Sequence, residues 1–390
     1  MKQVITSEKI PIKLWLEDIE PGAFEQVKNL ANLPFVFSHV AVMPDAHLGY
    51  GMPIGGVMAA DEVVIPNAVG VDIGCGMGAV QTSLTTLSGA QLKAILAEIR
   101  RLIPLGFKHH KRAQDSTLMP KAEVPIAQLP VVADHYRNAL TQLGTLGGGN
   151  HFIEIQRGND GHIWLMVHSG SRNLGLQVAN HYNRLAQELN RQWGSKIPAN
   201  WQLAFLPVAT PAGESYLREM GYCVEFAYAN RQLMMQRIKE AITAVAGRSV
   251  TFGSLINIAH NYAALEEHYG REVIVHRKGA TRAAAGEIGI IPGSQGSSSY
   301  IVRGKGNRES FTSCSHGAGR KMGRKQAQKQ LDLVTEKRRL DEQGIIHAVR
   351  SVGDLDEAAG AYKDIDQVIK SQLDLVEVVV ELRPLAVIKG

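Results

Sequence analysis

Apolar residues recur at helical spacing in three stretches of the chain. The first follows Ser88, a residue type that suits a helix N-cap, and its apolar positions share one face through residues 92–103. The second stretch covers residues 178–189. The third covers residues 214–245 and ends before Gly247, a residue type that often terminates helices. The pattern therefore predicts three helices.

Apolar and polar residues alternate in several shorter segments. In residues 162–168, Ile163, Leu165 and Val167 take one face of a strand while the residues between them take the other. Further strands are predicted at residues 151–155, 272–276, 300–302 and 375–382. Strands and helices do not alternate regularly, and no repeat or linker marks a boundary. The sequence therefore predicts an α+β fold with a single domain over residues 1–390.

The composition is that of a globular protein with a sizeable core. Of 390 residues, 45% are apolar and 20% are charged. No apolar run approaches the ~20 residues that span a bilayer, and the N-terminal segment lacks the apolar stretch of a secretory signal. We therefore expect a cytoplasmic protein without a membrane partner. Cys75, Cys223 and Cys314 are too few and too scattered for a disulfide framework, which favours free thiols or a metal ligand.

Positive charge is concentrated in two segments of the chain. The formal net charge is +5, which by itself points only weakly to nucleic acid. Residues 320–339 hold eight Lys or Arg residues against two acidic ones. A second cluster comprises Arg100, Arg101 and the run at residues 108–112. Each cluster is either a solvated surface or a surface that contacts nucleic-acid backbone.

Glycine is dense in several loops that lie far apart in the chain. The segments are residues 49–56, 70–78, 144–149, 286–306 and 317–319. Glycine lets the backbone approach a ligand closely and adopt positive φ angles. These loops therefore indicate a site assembled from distant parts of one chain.

The residue types beside these loops suit a metal ion. Asp72 and Cys75 flank a glycine-rich turn, where a carboxylate and a thiolate can point at one ion. A thiolate combined with imidazoles suits zinc, manganese or iron better than magnesium or calcium. His151, His168 and His260 each lie beside a polar or glycine-rich turn. The alternative is structural: a buried cysteine in a tight turn and three unrelated histidines.

His316 lies in a loop of small residues directly before the basic segment. A histidine in this setting can be a nucleophile, a proton shuttle or a metal ligand. The neighbouring glycines can offer backbone N–H groups to a phosphate, although no Walker or Rossmann pattern accompanies them. We interpret Cys314, two residues earlier, as a small packed residue.

Taken together, the motifs of this chain resemble the RtcB family of RNA ligases. The match runs in the same order from about Pro11 to the C-terminal residues. The matching blocks are Met43-Pro-Asp-Ala-His-Leu-Gly49, Val71-Asp-Ile-Gly-Cys-Gly-Met77, Gly147-Gly-Gly-Asn-His-Phe-Ile-Glu154, His168-Ser-Gly-Ser-Arg172, Arg277-Lys-Gly-Ala280, Ile291-Pro-Gly-Ser294, Ser313-Cys-Ser-His-Gly-Ala-Gly-Arg320, Tyr362-Lys-Asp-Ile365 and Lys389-Gly390. The resemblance implies mixed and antiparallel sheets around a metal-binding central cleft.

The same resemblance implies the chemistry of the site. Two Mn²⁺ ions would share Cys75 as a bridging ligand, and His316 would attack the α-phosphate of GTP to form a histidine–GMP phosphoramide. The implied metal ligands are Asp72, Cys75 and His151 for one ion, and Cys75, His168 and His260 for the other. The implied guanylate-binding residues are Asn150, Glu154, Asn261, Pro292, Gly293, Ser294, Gln295, Ser299, Gly317, Ala318, Gly319 and Lys389. Glu154 suits hydrogen bonds from the guanine edge, which would select GTP over ATP.

The implied substrate is RNA with a 2′,3′-cyclic phosphate or 3′-phosphate at one end and a 5′-hydroxyl at the other. A cyclic phosphate would be opened to a 3′-phosphate, which receives GMP from His316. The 5′-hydroxyl would then attack this activated end and expel GMP. The residues expected to hold the RNA backbone are Arg172, Arg320, Arg324, Lys325 and Lys329, for which no base readout is required.

Three departures from the family pattern leave the physiological RNA open, and the sequence by itself identifies no activating protein partner. These are Tyr50, Gln295 and a shortened segment between about residues 106 and 130. A metal-dependent phosphoesterase that opens cyclic phosphates without joining ends is the main alternative, but it leaves Glu154 and Lys389 without a role. A non-catalytic RNA-binding protein would leave the five candidate metal ligands unexplained.

Overall fold

Helices and strands follow each other irregularly in the computed structural model, which describes residues 1–247 and 249–390. The helices are α1 (Pro21–Ala31), α2 (Pro66–Val69), α3 (Gly89–Leu102), α4 (Pro130–Gln142), α5 (Arg172–Gln192), α6 (Pro211–Ala246), α7 (Arg324–Gln330), α8 (Leu333–Glu342) and α9 (Ile365–Lys370). The strands are β1 (Gln3–Ile5), β2 (Ile12–Leu14), β3 (Val36–Tyr50), β4 (Met52–Ala60), β5 (Val63–Val64), β6 (Gly76–Gln81), β7 (Phe152–Gly158), β8 (Ile163–Ser169), β9 (Leu206–Pro207), β10 (Ile256–Ala259), β11 (Asn261–His268), β12 (Arg271–Lys278), β13 (Ala280–Arg282), β14 (Ile288–Ile291), β15 (Ser299–Gly304), β16 (Ser313–Ser315) and β17 (Val376–Lys389).

Two large sheets form the framework of the protein. One has the strand order β1-β2-β3-β4-β12-β11 and is antiparallel except where β2 runs parallel to β3. The other has the order β10-β6-β8-β7-β17-β15-β14 and is antiparallel throughout. Two small ladders, β13-β16 and β5-β9, complete the strand pairing. The α+β prediction, with mixed and antiparallel sheets, is confirmed.

The predicted helices are confirmed, and two of them extend further than the apolar pattern indicated. Ser88 caps α3, because its hydroxyl accepts a hydrogen bond from the backbone N–H of Gln91. The second helix, α5, begins already at Arg172. The third, α6, begins at Pro211 because Thr210 supplies a side-chain cap there, and it ends at Gly247 in the left-handed conformation.

All five predicted strands are present, and the last one is much longer than predicted. The alternating segment around Ile163 is β8, which is buried on both faces. Leu165 packs in a core cluster with residues of α6, whereas Met166 packs in another cluster with Ile301 of β15. The segment predicted at residues 375–382 continues to Lys389 as β17. No helix in the described ranges combines the length and apolar character that a membrane span requires. The single domain over residues 1–390 stays a prediction.

Candidate functional site

Neighbouring strand ends bring the candidate metal ligands together. Cys75 directly precedes β6, His151 directly precedes β7, and His260 directly follows β10. His168 lies near the end of β8, where it is paired with Met77 of β6 and with Phe152 of β7. These four strands are adjacent and antiparallel, so the first residues of two strands and the last residues of the other two lie at the same end of the sheet.

The ligand atoms of three of these residues converge on one point. The Cys75 Sγ lies 3.4 Å from Nε2 of His151 and 3.3 Å from Nε2 of His168. The three ligand atoms all lie within 4.8 Å of one another. The Asp72 carboxylate adds a fourth candidate ligand, with its Oδ2 3.1 Å from Nε2 of His151. All three histidines, including His260, are buried.

Backbone carbonyls fix the orientation of two imidazoles. Nδ1 of His151 lies 3.0 Å from the carbonyl oxygen of Leu146, and Nδ1 of His168 lies 3.0 Å from that of Asn150. A carbonyl can only accept, so each Nδ1 carries a proton and each Nε2 faces the Cys75 sulfur. The remaining histidine, His260, has a buried Nδ1 with no hydrogen-bond partner among the described residues. This donor set fits a transition-metal ion.

The charges of the site also suit a cation. Burial would raise the pKa of Asp72, but the hydrogen bond and charge of His151 outweigh it and lower that pKa to about 2. Burial and the Asp72 charge raise the pKa of the Cys75 thiol, so a thiolate there depends on a neighbouring cation. Burial and neighbouring imidazoles lower the pKa of His168 and of His260. Both rings are therefore neutral, which is the form that binds metals.

A carboxylate that the sequence analysis did not single out orients His316. Oδ2 of Asp45, a residue of β3, lies 2.6 Å from Nδ1 of His316 and accepts hydrogen bonds from the backbone N–H groups of His316 and Gly317. Asp45 is fully buried. A carboxylate oxygen accepts hydrogen bonds, so Nδ1 of His316 is the donor here and Nε2 takes no part in this contact. The ring packs against that of His260, with centroids 4.8 Å apart.

One cavity joins the metal cluster, His316 and most of the predicted guanylate-binding residues. From the metal cluster, Asp72, Cys75, His168 and His260 line it. From the predicted nucleotide set, the lining residues are Asn150, Glu154, Asn261, Pro292, Gly293, Ser294, Gln295, Gly317, Ala318, Gly319 and Lys389. Ser299 lies behind the wall, where its hydroxyl accepts a hydrogen bond from the backbone N–H of Gly293. It supports the loop instead of lining the cavity.

Glu154 places a carboxyl group in the cavity wall on β7. Its side chain is 3% exposed, and it accepts a hydrogen bond of 2.7 Å from the Gln156 amide. Burial raises the pKa of Glu154 to about 8, although the charge of Lys389 and the Gln156 bond lower it. Lys389 lies on the neighbouring strand, with its Nζ 5.8 Å from the centroid of the Phe152 ring.

A second unpredicted carboxylate, Glu357, holds two of the predicted RNA-binding arginines. Its Oε1 lies 3.1 Å from Nη1 of Arg320 and 2.9 Å from Nε of Arg324, and Tyr362 donates to its other oxygen. Glu357 is buried, so this network fixes both guanidinium groups in the cavity wall.

The other predicted RNA-binding residues lie outside the cavity lining. Lys325 and Lys329 are exposed on α7. Arg172 lies behind the metal cluster, where its Nη1 is 3.4 Å from Nδ1 of His151. A Cβ at Gly147 would lie 2.1 Å from that Nη1, so the glycine leaves room for the guanidinium.

Two buried polar residues of α6 anchor the segments that carry the metal ligands. Arg231 donates to the carbonyl oxygens of Gly74 and Ser169, at 2.9 Å each. Asn230 accepts from the backbone N–H of Gly144 and donates to the carbonyl of Gly170. In the sequence, the only indication of this role is that both residues lie on an otherwise apolar face of the helix. Which face is buried is known only from the packing of α6 in the structure.

The cysteines outside the cluster show no sign of a reactive role. Cys223 and Cys314 are free, buried thiols, and burial raises the pKa of each. The interpretation of Cys314 as a packed residue is therefore confirmed.

Comparison with known proteins agrees with this geometry. A family model described as tRNA-splicing ligase RtcB matches residues 26–390. The RNA-splicing ligases RtcB1 and RtcB from two strains of Escherichia coli are 39% and 38% identical to the chain, and each alignment covers 100% of the chain and 99% of the relative. The tRNA-splicing ligase RtcB of Pyrobaculum aerophilum is 32% identical, over 98% of the chain and 95% of the relative. This chain therefore belongs to the RtcB family.

Proposed function

We propose that this protein is a GTP- and Mn²⁺-dependent RNA ligase that joins 3′-phosphate or 2′,3′-cyclic phosphate ends to 5′-hydroxyl ends. The observation that carries this proposal is the shared cavity, which is lined by His316, by the thiol–imidazole cluster and by glycine-rich loops. The names of the relatives, RNA-splicing and tRNA-splicing ligases, support an RNA substrate. A location in the cytoplasm stays a prediction.

The metal ligands proposed here are Asp72, Cys75, His151, His168 and His260, with Cys75 shared between two ions. Bound cations would neutralise phosphate oxygens and bring the reacting groups together. The protein supplies the orientation of the ligands, because the carbonyl oxygens of Leu146 and Asn150 hold two of the imidazoles in place.

The proposed nucleophile is Nε2 of His316. Asp45 holds the Nδ1 proton and stabilises the positive charge that develops on the ring as a P–N bond forms. The α-phosphorus of GTP gains this bond and loses pyrophosphate. The small residues Gly317, Ala318 and Gly319 let the backbone approach the phosphate group at this point.

Transfer to RNA would then proceed in steps that balance. Water opens a 2′,3′-cyclic phosphate to a 3′-phosphate. An oxygen of that phosphate attacks the guanylyl phosphorus, breaking the P–N bond and freeing His316. The 5′-hydroxyl oxygen of the second RNA attacks the activated 3′-phosphorus, a phosphodiester forms, and GMP leaves. Arg320 and Arg324 lie in the wall of the cavity that would receive these phosphates.

The proposal is tested with radiolabelled nucleotide. Purified protein is incubated with α-labelled GTP and Mn²⁺, and the denatured protein is examined for covalent label. We expect an acid-labile, alkali-stable adduct, as phosphoramides give, that is chased onto RNA carrying a 3′-phosphate. A protein that opens cyclic phosphates but never acquires label would be a phosphoesterase.

Glu154→Gln is expected to reduce guanylate binding in a pH-dependent way. The empty site holds a proton on Glu154 below about pH 8, whereas guanine N–H donors favour the carboxylate. Guanylate binding therefore releases this proton, and native affinity should rise by up to about tenfold per pH unit toward pH 8 and then level off. The variant lacks this ionisation, so the ratio of native to variant affinity for GMP should increase from pH 6 to pH 8.

Isothermal titration of GMP into both proteins measures this ratio. Titration of the GMP phosphate itself affects both proteins and cancels in the comparison. A pH-independent ratio would show that Glu154 does not accept hydrogen bonds from the base.

Replacing Lys325 and Lys329 by alanine is expected to weaken RNA binding without changing guanylylation. Arg324 is left in place because it is fixed to Glu357 in the cavity wall, so its loss would disturb the nucleotide site. Each phosphate contact removed should lower the slope of log affinity against log salt by about one. The measurement is RNA binding across a salt series, with Lys93→Ala on α3 as the control. A salt slope equal to that of the native protein would identify α7 as a solvated surface.

A further inference from the structure

The second basic segment, which the proposed function does not use, carries an aromatic side chain in an unusual position. Phe107 is 98% exposed. Residues 100–114 around it contain five Lys or Arg residues and no acidic residue. A single exposed apolar residue is common on protein surfaces, so exposure alone carries no argument. What distinguishes Phe107 is the firm attachment of its loop, the location of that loop beside the candidate site and the positive charge around it.

The loop that presents Phe107 is held firmly against the protein. A turn closes where the Lys108 N–H donates to the carbonyl of Leu105 at 3.1 Å, and Gly106 takes the positive φ of 60° that the turn requires. Farther along, the backbone N–H of His110 donates to Thr141 at 2.9 Å. The phenyl ring is therefore presented by an ordered backbone, so little entropy is lost when a ligand contacts it.

This loop is attached to the segment that forms the edge of the candidate site. The Gly106 N–H donates to the carbonyl of Gly147 at 3.1 Å, and a Cβ at Gly148 would lie 3.9 Å from the Gly106 Cα. His151 follows Gly148 by three residues, which span at most about 10 Å. A Cβ at Gly149 would lie 3.0 Å from Nη2 of Arg324, which lines the cavity. The ring therefore lies within a few nucleotides' reach of the reacting ends.

The charge beside the ring favours a polyanion. Lys108, Lys111 and Arg112 are exposed within five residues of Phe107 along the chain. Cations follow a phosphate backbone, and an aromatic face between them stacks on an unpaired base whatever its sequence. An apolar segment of a protein partner would gain nothing from this surrounding charge.

We propose that Phe107 is a stacking platform for an unpaired base near the RNA end, with Lys108, Lys111 and Arg112 holding the adjoining phosphates. This inference rests on the proposed function for the identity of the ligand as RNA. It assigns residues 107–112 to the binding of a single-stranded RNA end, at a surface separate from the guanylate pocket. It also implies a preference for ends whose last nucleotides are unpaired, since a base in a duplex is already stacked.

The test compares Phe107→Ala, Phe107→Leu and Phe107→Trp with the native protein. All three should fold normally because the side chain is exposed. Stacking contributes ~1–3 kcal/mol per base, so Phe107→Ala should weaken binding of a single-stranded RNA 3′-phosphate by about 5- to 150-fold. Phe107→Leu should lose a similar factor, whereas Phe107→Trp should retain native affinity. Leu265→Ala, which removes another exposed apolar side chain (61% exposed), should change nothing.

A second ligand makes the test specific for stacking. An RNA whose terminal nucleotides are abasic should bind the native protein as weakly as the normal RNA binds Phe107→Ala, and it should show no further loss with that variant. GMP-adduct yield is measured in parallel and should be native in every variant. Absence of the adduct in the native protein would contradict the proposed function, whereas the binding series tests the platform by itself. Native RNA affinity in Phe107→Ala would overturn the inference. Native RNA affinity in Phe107→Leu would also overturn it, because an apolar side chain without an aromatic ring would then suffice.

Discussion

Replacing His316 by alanine should abolish transfer of GMP to the protein while leaving the fold and metal binding intact. The Nε2 atom is the only nitrogen of the ring that Asp45 leaves free, and alanine offers no substitute. The ring is partly exposed to the cavity, with 15% of the side chain accessible, so its removal costs little core packing. The measurements are covalent label from GTP, Mn²⁺ affinity and thermal unfolding. A native yield of adduct would assign the nucleophile to another residue.

Asp45→Asn serves as the companion variant for His316→Ala. The amide keeps the size of the carboxylate but removes its charge and can present a donor to Nδ1, which would place the proton on the wrong nitrogen. Carboxylates that orient a catalytic imidazole contribute about 10⁴-fold in rate. We expect slow guanylylation with native GMP affinity, because a positioning residue acts on the rate and not on binding. Equal losses in rate and affinity would instead indicate collapse of the His316 loop.

Replacing Cys75 by serine should remove Mn²⁺ binding and guanylylation together. The thiol lies between Nε2 of His151 and Nε2 of His168, and a hydroxyl ionises far less readily than a thiol and bridges cations poorly. Loss of a residue that only supports a ligand typically costs ~10–100-fold in metal affinity. Loss of the shared ligand should therefore cost more than this range. The measurement is Mn²⁺ titration monitored by electron paramagnetic resonance, alongside adduct yield.

The matched control for Cys75→Ser is the same substitution at Cys223. Cys223 is equally buried, but it lies on α6 in an apolar core cluster. The serine hydroxyl in Cys223→Ser should therefore lower the free energy of unfolding by ~1–3 kcal/mol without changing the Mn²⁺ stoichiometry. Two bound ions and native adduct yield in Cys75→Ser would show that the thiol is structural.

Local sequence patterns predicted the elements of this fold better than their arrangement. The period of apolar residues located α3, α5 and α6, and alternation located β8, because both patterns depend on which face is buried. The starts of α5 and α6 were missed because Arg172 and Pro211 lie outside the apolar period. Only the β7–β8 hairpin joins neighbours in sequence here, and the rest of this strand order was not predictable because β10 pairs with β6, and β6 with β8, across long stretches of chain.

Candidate site residues were identified in the sequence where they stand in a short motif. They were missed where their role depends on a contact between residues that are distant in sequence. Cys75 and His316 stand in glycine-rich motifs and were identified directly. Asp45 was part of a matching block but received no role, since its contact with His316 joins β3 to a loop 271 residues away. Glu357 had no signal at all, because an isolated glutamate in sequence gives no hint of being buried between two arginines.

On the proposed function, the position of β17 makes guanylate binding a late event in biosynthesis. Residues 376–389 insert as an inner strand between β7 and β15, and they bring Lys389 to the cavity. Every candidate metal ligand precedes residue 261, whereas this strand leaves the ribosome more than a hundred residues later. Until it does, β7 and β15 lack the strand that joins them, and unpaired strand edges are prone to pairing with other chains. The proposed metal ligands are therefore synthesised well before the strand that completes the proposed nucleotide site.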